Sequence, residues 1–272
     1  MQPLQIVLTR PQKESQNWLD GVMKAGYQAV NWPLIEISPI KPDQQFLNIL
    51  SRLETFSAVV FVSSAAVEHF MNAVQKLSNT SWPAVKCWAT GQGTLNTLIR
   101  WGVAEHLIMA PDHFAPQFDS PHLWERVKNT VNASDKVLFV KGSDENLPPS
   151  PLFKDDLNPP SGSNWLIWKL QESNIHVDTI EVYTRGTPQW SAEQISLASK
   201  AINEQAIWIF SSSLAIENLS NLLPNQDWSK GSALATHSKI ASKAKEVGWG
   251  VVHVSRPVIA DVLKSLKFIN PF

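Results

Sequence analysis

One strand-to-helix segment occurs twice in this sequence, and the repeat constrains the fold more than any other feature. Residues 59–70 carry a short apolar run, two serines and a helical pattern, and residues 209–217 carry the same series. The matching positions are Phe61 with Phe210, Ser63 with Ser212, and Glu68 with Glu217. A second pair follows, because residues 89–111 and 235–257 share the same spacing of alanine-threonine, glycine and proline. Repeated segments in the same order indicate two related halves.

Both halves have the pattern of α/β structure, in which short apolar runs alternate with segments of helical periodicity. The 272 residues suffice for two domains, and 43% hydrophobic residues can give each a core. Two predicted strands cross between the domains: residues 30–37, which Pro33 interrupts, and residues 177–183. The sequence therefore predicts a discontinuous domain, 1–37 with 184–272, and an inserted domain, 38–183.

Each domain is expected to hold a parallel sheet of the flavodoxin- or Rossmann-like kind. In such sheets ligands bind beyond the carboxyl ends of the strands. Both sets of strand ends are expected to face one cleft between the two domains, and this cleft is the predicted active site.

The composition excludes several classes of protein. A formal net charge of −1 argues against nucleic-acid binding driven by overall charge. Cys87 is the only cysteine, so no intramolecular disulfide can form, which fits a reducing cytoplasm. The sequence has no signal-peptide pattern at its start, and no apolar run approaches the ~20 residues of a membrane helix. We therefore expect a cytoplasmic protein that binds neither nucleic acid nor membrane.

Residues 143–163 are the least regular internal segment. They contain scattered charges and five prolines: Pro148, Pro149, Pro151, Pro159 and Pro160. This composition predicts a mobile loop that limited proteolysis should cut first.

The sequence contains little evidence for a metal site, a catalytic nucleophile or a dinucleotide-binding loop. The seven histidines and single cysteine show none of the spacings of a metal site. Ser63 and Ser212 lack the flanking glycines of a nucleophile elbow. Gly91-Gln92-Gly93 follows a predicted strand, but Asn96 stands where a dinucleotide loop has its third glycine. We expect no metal and no cofactor.

Small hydroxyl residues recur where predicted strands lead into helices. Free backbone N–H groups and the helix dipole bind anions at such turns, although each residue can also be a simple helix cap. Cations stand near these turns or at the domain crossing: Arg10, Lys141, Arg185 and Lys239. The combination predicts a cleft for a ligand with many carboxylates.

Several motifs together resemble those of the uroporphyrinogen-III synthase family, in the same order and over nearly the whole chain. They are Thr9-Arg10-Pro11, residues 33–37, 61–67, 181–185 and 210–212, Lys239-Ile240-Ala241 and Gly248-Trp249. The chain departs from the family pattern at Val62, which replaces a hydroxyl residue. It departs again at Lys141-Gly142 and the proline-rich segment, which replace an arginine-glycine turn and a loop rich in glycine and arginine.

The resemblance implies two related α/β domains around a cleft, joined by a two-stranded β-ladder. It implies a cofactor-independent lyase of haem biosynthesis that cyclises hydroxymethylbilane, a linear tetrapyrrole, to uroporphyrinogen III, with inversion of ring D and loss of water. Tyr183 matches the family tyrosine that would assist departure of the hydroxyl. The expected substrate-binding residues are Thr9, Arg10, Ser63, Ser64, Thr94, Lys141, Ser211, Ser212, Thr236, His237 and Lys239. We expect a monomer.

Two other functions remain open from the sequence. One is a non-catalytic, two-lobed module that binds a small polyanion, and the other is a dinucleotide enzyme that uses the Gly91 loop. Turnover of hydroxymethylbilane separates the first from a synthase, and binding of NAD or NADP tests the second.

Overall fold

The computed structural model describes residues 5–77, 82–112, 120–144 and 163–269. The strands in this part of the chain are β1 (Gln5–Leu8), β2 (Gln28–Asn31), β3 (Glu36–Pro39), β4 (Ala58–Phe61), β5 (Lys86–Ala89), β6 (Ile108–Met109), β7 (Lys136–Asp144), β8 (His176–Gly186), β9 (Ile207–Phe210), β10 (Ser232–Ala235) and β11 (Val251–Val254). The α-helices are α1 (Gln12–Lys24), α2 (Gln44–Ser51), α3 (Ser64–Leu77), α4 (Gln92–Arg100), α5 (Ser120–Val127), α6 (Ser163–Glu172), α7 (Ala192–Asn203), α8 (Ser213–Leu222), α9 (Ser238–Val247) and α10 (Ile259–Ile269). None of the helices described is long and apolar enough to cross a membrane.

The chain divides into two compact units. The first unit joins Met1–Glu36 to Gly186–Phe272, and the second unit is Ile37–Arg185. The chain passes from one unit to the other within β3 and again within β8, and these two strands are neighbours in one sheet.

The first unit contains a five-stranded sheet in the order β11-β10-β9-β1-β2, and every neighbouring pair is parallel. Strand β9 is apolar and buried along its whole length, and β1 is apolar and buried after Gln5, as in sheets that helices cover on both faces. Ile6, Leu8, Ile207 and Ile209 pack with residues of α1 and α10 in one core cluster.

The second unit contains a six-stranded sheet in the order β3-β8-β7-β4-β5-β6. The pairs from β8 to β6 are parallel. Strand β4 is again buried over its whole length. A core cluster on one face of the sheet includes Phe61, Phe70, Cys87 and Tyr183.

The sequence repeat occupies equivalent places in the two sheets. Strands β4 and β9 carry the repeated segment, and β5 and β10 carry the second repeated motif. Reading from β8, the second sheet runs β8-β7-β4-β5-β6, and the first runs β2-β1-β9-β10-β11. The two orders therefore correspond strand for strand, although the chain enters them at different points.

The strand predicted over residues 30–37, with an interruption at Pro33, is in fact two strands that belong to different sheets. The chain forms β2 in the first sheet, leaves it after Asn31, and enters the second sheet as β3 at Glu36. The buried side chain of Asn218 fixes the intervening segment, because its Nδ2 donates to the Leu34 carbonyl over 2.7 Å. Pro33, which cannot donate a sheet hydrogen bond, lies in the gap between the two strands.

The predicted loop at 143–163 lies mostly outside the described residues. Strand β7 continues to Asp144, and α6 begins at Ser163. Residues 145–162 are not among those described, so the prediction of mobility stays a prediction.

Cys87 gives a first testable expectation. Its thiol lies in β5 with no exposed surface, and burial raises its pKa above the ordinary value. Since the thiolate is the reactive form, a disulfide reagent such as Ellman's should not modify the native protein near pH 8. One equivalent should react in denaturant, because the chain has one cysteine. Rapid reaction of the native protein would contradict the burial.

Candidate functional site

The strand orders define one switch point in each sheet, where the chain's direction of progress across the sheet reverses. In the second unit the switch point lies between β4 and β7, and in the first between β1 and β9. Ligands of such sheets bind in the crevice beyond the carboxyl ends of these strands. Six predicted site residues lie at the carboxyl ends of these strands. Lys141 belongs to the carboxyl-terminal part of β7, and the other five are the first or second residue after a strand: Thr9, Arg10, Ser63, Ser211 and Ser212.

Three of the predicted turn residues cap helices. Ser63 Oγ accepts from Ala66 N over 3.0 Å, and Ser212 Oγ accepts from Leu214 N over 3.2 Å. His237 Nδ1 accepts from Lys239 N over 3.1 Å. Each cap satisfies one of the four free N–H groups at a helix start and leaves others to meet an anion or water.

Ser63 and Tyr183 meet although they are far apart in sequence. Ser63 Oγ lies 3.0 Å from the Tyr183 hydroxyl, and either oxygen can be the donor. Ser63 follows β4 and Tyr183 belongs to β8, so β7 lies between them in the sheet. The phenol therefore reaches the switch point across an intervening strand.

A β-bulge directs the Tyr183 side chain. Along β8, Glu181 pairs with Lys141 and Tyr183 pairs with Gly142, so Val182 is an extra residue without a partner on β7. Val182 and Tyr183 are consecutive and both buried in the same core cluster, which the alternation of a regular strand forbids. Bulges often redirect a side chain near a functional site.

Gly142 makes room for the phenol. A methyl group at Gly142 would lie 2.3 Å from Cε2 and Cζ of Tyr183, closer than carbon atoms can approach. The imidazole of His69, on α3, stacks on the phenol with centroids 5.6 Å apart. Sequence reasoning missed the parts played by Gly142 and His69, and the only available signal was the Lys141-Gly142 pair after a buried strand.

Three predicted hydroxyl residues lie inside the fold. Thr9 is 1% exposed, and its Oγ1 donates to the Ile209 carbonyl over 2.8 Å. Thr94, in the first turn of α4, and Thr236, after β10, are also buried. The three side chains therefore offer little surface to a ligand, and the hydrogen bond of Thr9 connects the turn after β1 to β9. Ser64 and Ser211 are half-buried and remain accessible.

Arg10 has the character of an anion-binding group. Its guanidinium lies over the Trp18 ring, 4.1 Å from the centroid, and within the described residues it has no hydrogen-bonded or ion-paired acceptor. Burial lowers the pKa of Arg10, with Glu14 opposing the shift, but an arginine stays protonated near neutral pH. A positioned cation with free donors suits a carboxylate.

The two lysines differ in their surroundings. Lys141 Nζ lies 3.5 Å from Glu181 Oε1, so a ligand carboxylate would have to compete with that ion pair. Lys239 lies exposed in the first turn of α9, and no acidic partner for it occurs among the residues placed by the structure.

The described residues contain no cluster of histidine, cysteine, aspartate and glutamate that could hold a metal ion. Gly91, the first glycine of the Gly91 loop, also lacks the steric need for glycine that is typical of a dinucleotide loop. A methyl group at Gly91 would meet nothing within 4 Å, and its φ of −163° suits any residue.

Comparisons with known proteins identify the family. A family model described as "Uroporphyrinogen-III synthase HemD" matches residues 18–263. Among solved structures, the chain resembles uroporphyrinogen-III synthetase from Helicobacter pylori, with a TM-score of 0.56 and 15% identity over 98% of this chain and 100% of that chain. It also resembles a mutant uroporphyrinogen III synthase from the extremely thermophilic bacterium Thermus thermophilus, with a TM-score of 0.55 and 14% identity over 97% and 98%. No curated protein sequence matches. Because the family match spans both units, the chain belongs to the uroporphyrinogen-III synthase family.

Proposed function

We propose that this chain cyclises hydroxymethylbilane to uroporphyrinogen III, with inversion of ring D and loss of water. The observation that carries the proposal is the family match over residues 18–263. The fold of the two synthase structures supports it, and so does the Ser63–Tyr183 pair at the switch point of the second unit.

The chemistry of the substrate fits the groups at the two switch points. A linear tetrapyrrole with acetate and propionate on every ring presents many carboxylates, which helix starts and cations bind. Loss of the hydroxyl as water leaves a cation that closes through a spiro intermediate. The enzyme must mainly hold a flexible chain in one reactive geometry, and such positioning can contribute about 7–11 kcal/mol.

The predicted site residues have three different roles in the proposed reaction. Tyr183 assists departure of the hydroxyl, and Arg10, Ser63, Ser64, Lys141, Ser211, Ser212, His237 and Lys239 bind carboxylates with the backbone N–H groups beside them. Thr9, Thr94 and Thr236 shape the turns. We further propose a cytoplasmic monomer that needs no cofactor. Light scattering after size-exclusion chromatography tests the monomer.

Product analysis tests the function directly. Fresh hydroxymethylbilane is supplied to the purified chain, and the ratio of type III to type I uroporphyrinogen is measured. The type I isomer forms spontaneously, so the synthase should give predominantly type III. Type I alone, at the rate seen without protein, would refute the proposal. Tight binding of the bilane without turnover would favour the non-catalytic binding module.

Arg10→Ala should weaken substrate use while leaving the fold intact. A hydrogen bond to a charged group is worth about 1.5–3 kcal/mol, so kcat/KM for type III formation should fall about 10- to 150-fold. The melting temperature should fall only slightly, because the variant loses the contact with the Trp18 ring but no ion pair within the described residues.

Arg256→Ala is the matched control for Arg10→Ala. Arg256 belongs to the same unit, but it is exposed, and its Nε lies 3.5 Å from Asp261 Oδ2. Removal of Arg256 should leave kcat/KM unchanged. A large loss of stability with normal kcat/KM in Arg10→Ala would assign Arg10 to the fold.

A further inference from the structure

The hydroxyl of Ser63 has a defined hydrogen-bonding capacity. A serine oxygen accepts two hydrogen bonds and donates one. Ala66 N–H already donates to Ser63 Oγ over 3.0 Å, and the Tyr183 hydroxyl lies 3.0 Å away. The two hydroxyls carry two protons between them, and their mutual hydrogen bond uses only one. One proton is therefore left to be donated elsewhere.

Burial decides which oxygen holds the remaining proton. Tyr183 is 3% exposed, and its hydroxyl has no other partner among the described residues. If Ser63 were the donor, the phenol O–H would be a buried donor without an acceptor, which is unfavourable. If Tyr183 is the donor, both lone pairs of Ser63 are filled and its own proton lies at a half-buried turn. The second arrangement leaves no buried donor without an acceptor, because the remaining donor lies at the half-buried turn.

The position of Ser63 also strengthens its proton as a donor. Ser63 caps α3, a helix of 14 residues, so its oxygen lies at the positive end of the helix dipole. Two hydrogen bonds donated to the same oxygen polarise its O–H bond and stabilise negative charge that develops there. The strand order, the bulge at Val182 and the start of α3 thus all place hydrogen-bonding groups at the Ser63 hydroxyl.

We propose that Ser63, instead of binding a carboxylate, is the catalytic residue that donates the proton to the leaving hydroxyl of the bilane, and that Tyr183 acts through it. This inference rests on the proposed function. The Ser63 O–H bond breaks as the proton moves to the leaving hydroxyl, the carbon–oxygen bond breaks, and water departs. Tyr183 passes its proton to Ser63 Oγ. The proton that the last ring loses when the macrocycle closes restores the phenol, so protons balance over the cycle.

Single and double variants test this coupling. Ser63→Ala and Tyr183→Phe should each lower kcat for type III formation by about 10²-fold, the lower end of general acid catalysis, with little change in KM. The double variant should be no slower than the slower single variant, because residues that act as a unit are not additive. Ser63→Thr keeps the hydroxyl and a helix cap, so it should recover most of the rate.

Asp43→Ala is the control for the loss of a helix cap. Asp43 caps α2 in the same unit, with Oδ1 accepting from Phe46 N over 2.9 Å, and it has no tyrosine partner. Its removal should lower stability to a similar extent and leave kcat unchanged.

Three results would overturn the inference. They are wild-type kcat in Ser63→Ala, multiplication of the two single effects in the double variant, and failure of Ser63→Thr to recover the rate. Failure of the proposed function looks different, since the wild-type chain would then form no type III product. Tyrosine-labelled NMR adds a readout without substrate, because the chain has two tyrosines. Ser63→Ala should shift the Tyr183 signal and leave that of Tyr27 in place, and an unmoved Tyr183 signal would count against the pair.

Discussion

Replacement of Gly142 by alanine is expected to lower type III formation by about 10²-fold, as loss of the phenol itself should. The added methyl would lie 2.3 Å from Cε2 and Cζ of Tyr183, so the ring must move. The ring is buried and stacked on His69, and the bulge at Val182 holds its backbone, so displacement takes the hydroxyl away from Ser63. Initial rates and the ratio of isomers measure the effect.

Ser143→Ala is the control for Gly142→Ala, since the next position of β7 then changes without added volume. It should retain the wild-type rate. Overpacking typically costs about 1–3 kcal/mol, so Gly142→Ala should also lower the melting temperature by several degrees. In a Tyr183→Phe background, Gly142→Ala should reduce the rate little further. A full additional loss there would show that Gly142 acts by another route.

The sequence predicted the α/β class and the parallel sheets because its strongest signals are local. Strands β4 and β9 are short, wholly apolar and followed by serine turns, so the repeat marked the same strand in both sheets. The segment at 30–37 was different. Its apolar residues look like one strand interrupted at Pro33, whereas the segment between the two real strands is held in part by a hydrogen bond from Asn218, which lies 184 residues from Leu34. Contacts at that separation leave no periodic signal in a single sequence.

The candidate site was predicted in its residue types and only partly in its geometry. Ser63 and Tyr183 were both selected, yet their contact joins positions 120 residues apart. It depends on the strand order β8-β7-β4 and on the extra residue at Val182. Neighbouring strands lie about 4.8 Å apart, so a side chain crosses a whole strand only where that strand offers no side chain of its own. Gly142 meets this condition, but only the pairing register of β7 with β8 shows that Gly142 lies opposite Tyr183.

The repeated phenylalanines give the largest expected change in stability. Phe61 and Phe210 are both fully buried. Phe61 packs edge-on against Phe70 with centroids 5.8 Å apart, and Phe210 packs edge-on against Trp249 at 5.2 Å. Substitution of a buried phenylalanine by alanine typically costs about 3–5 kcal/mol, because apolar contacts are lost and a cavity remains. Each substitution should destabilise the unit that contains it.

We propose that the two units are separate domains and that each unfolds on its own. The first domain is the predicted discontinuous one, 1–37 with 184–272, and the second is the predicted inserted one, 38–183. Cys87 belongs to the second unit and shares a core cluster with Phe61, so its thiol reports on that unit alone. Since about 1.4 kcal/mol is a factor of ten, Phe61→Ala should speed thiol labelling under native conditions by at least 10²-fold. Phe210→Ala should leave that rate unchanged while it lowers the midpoint of the first unit's unfolding.

Tryptophan fluorescence supplies the complementary measurement for the first unit, since Trp208 and Trp249 both lie within 6.3 Å of Phe210 by ring centroids. Six of the twelve tryptophans lie in the first unit, so in Phe210→Ala the total emission should change in two phases, the first at lower denaturant than Cys87 becomes reactive. If either alanine variant fails to fold, the leucine variants at the same positions repeat the comparison with a smaller volume change. Equal acceleration of Cys87 labelling by both substitutions would show that the chain unfolds as one cooperative unit. Separation of the two transitions would establish the related halves as folding units in their own right, since each would then lose stability only through its own core.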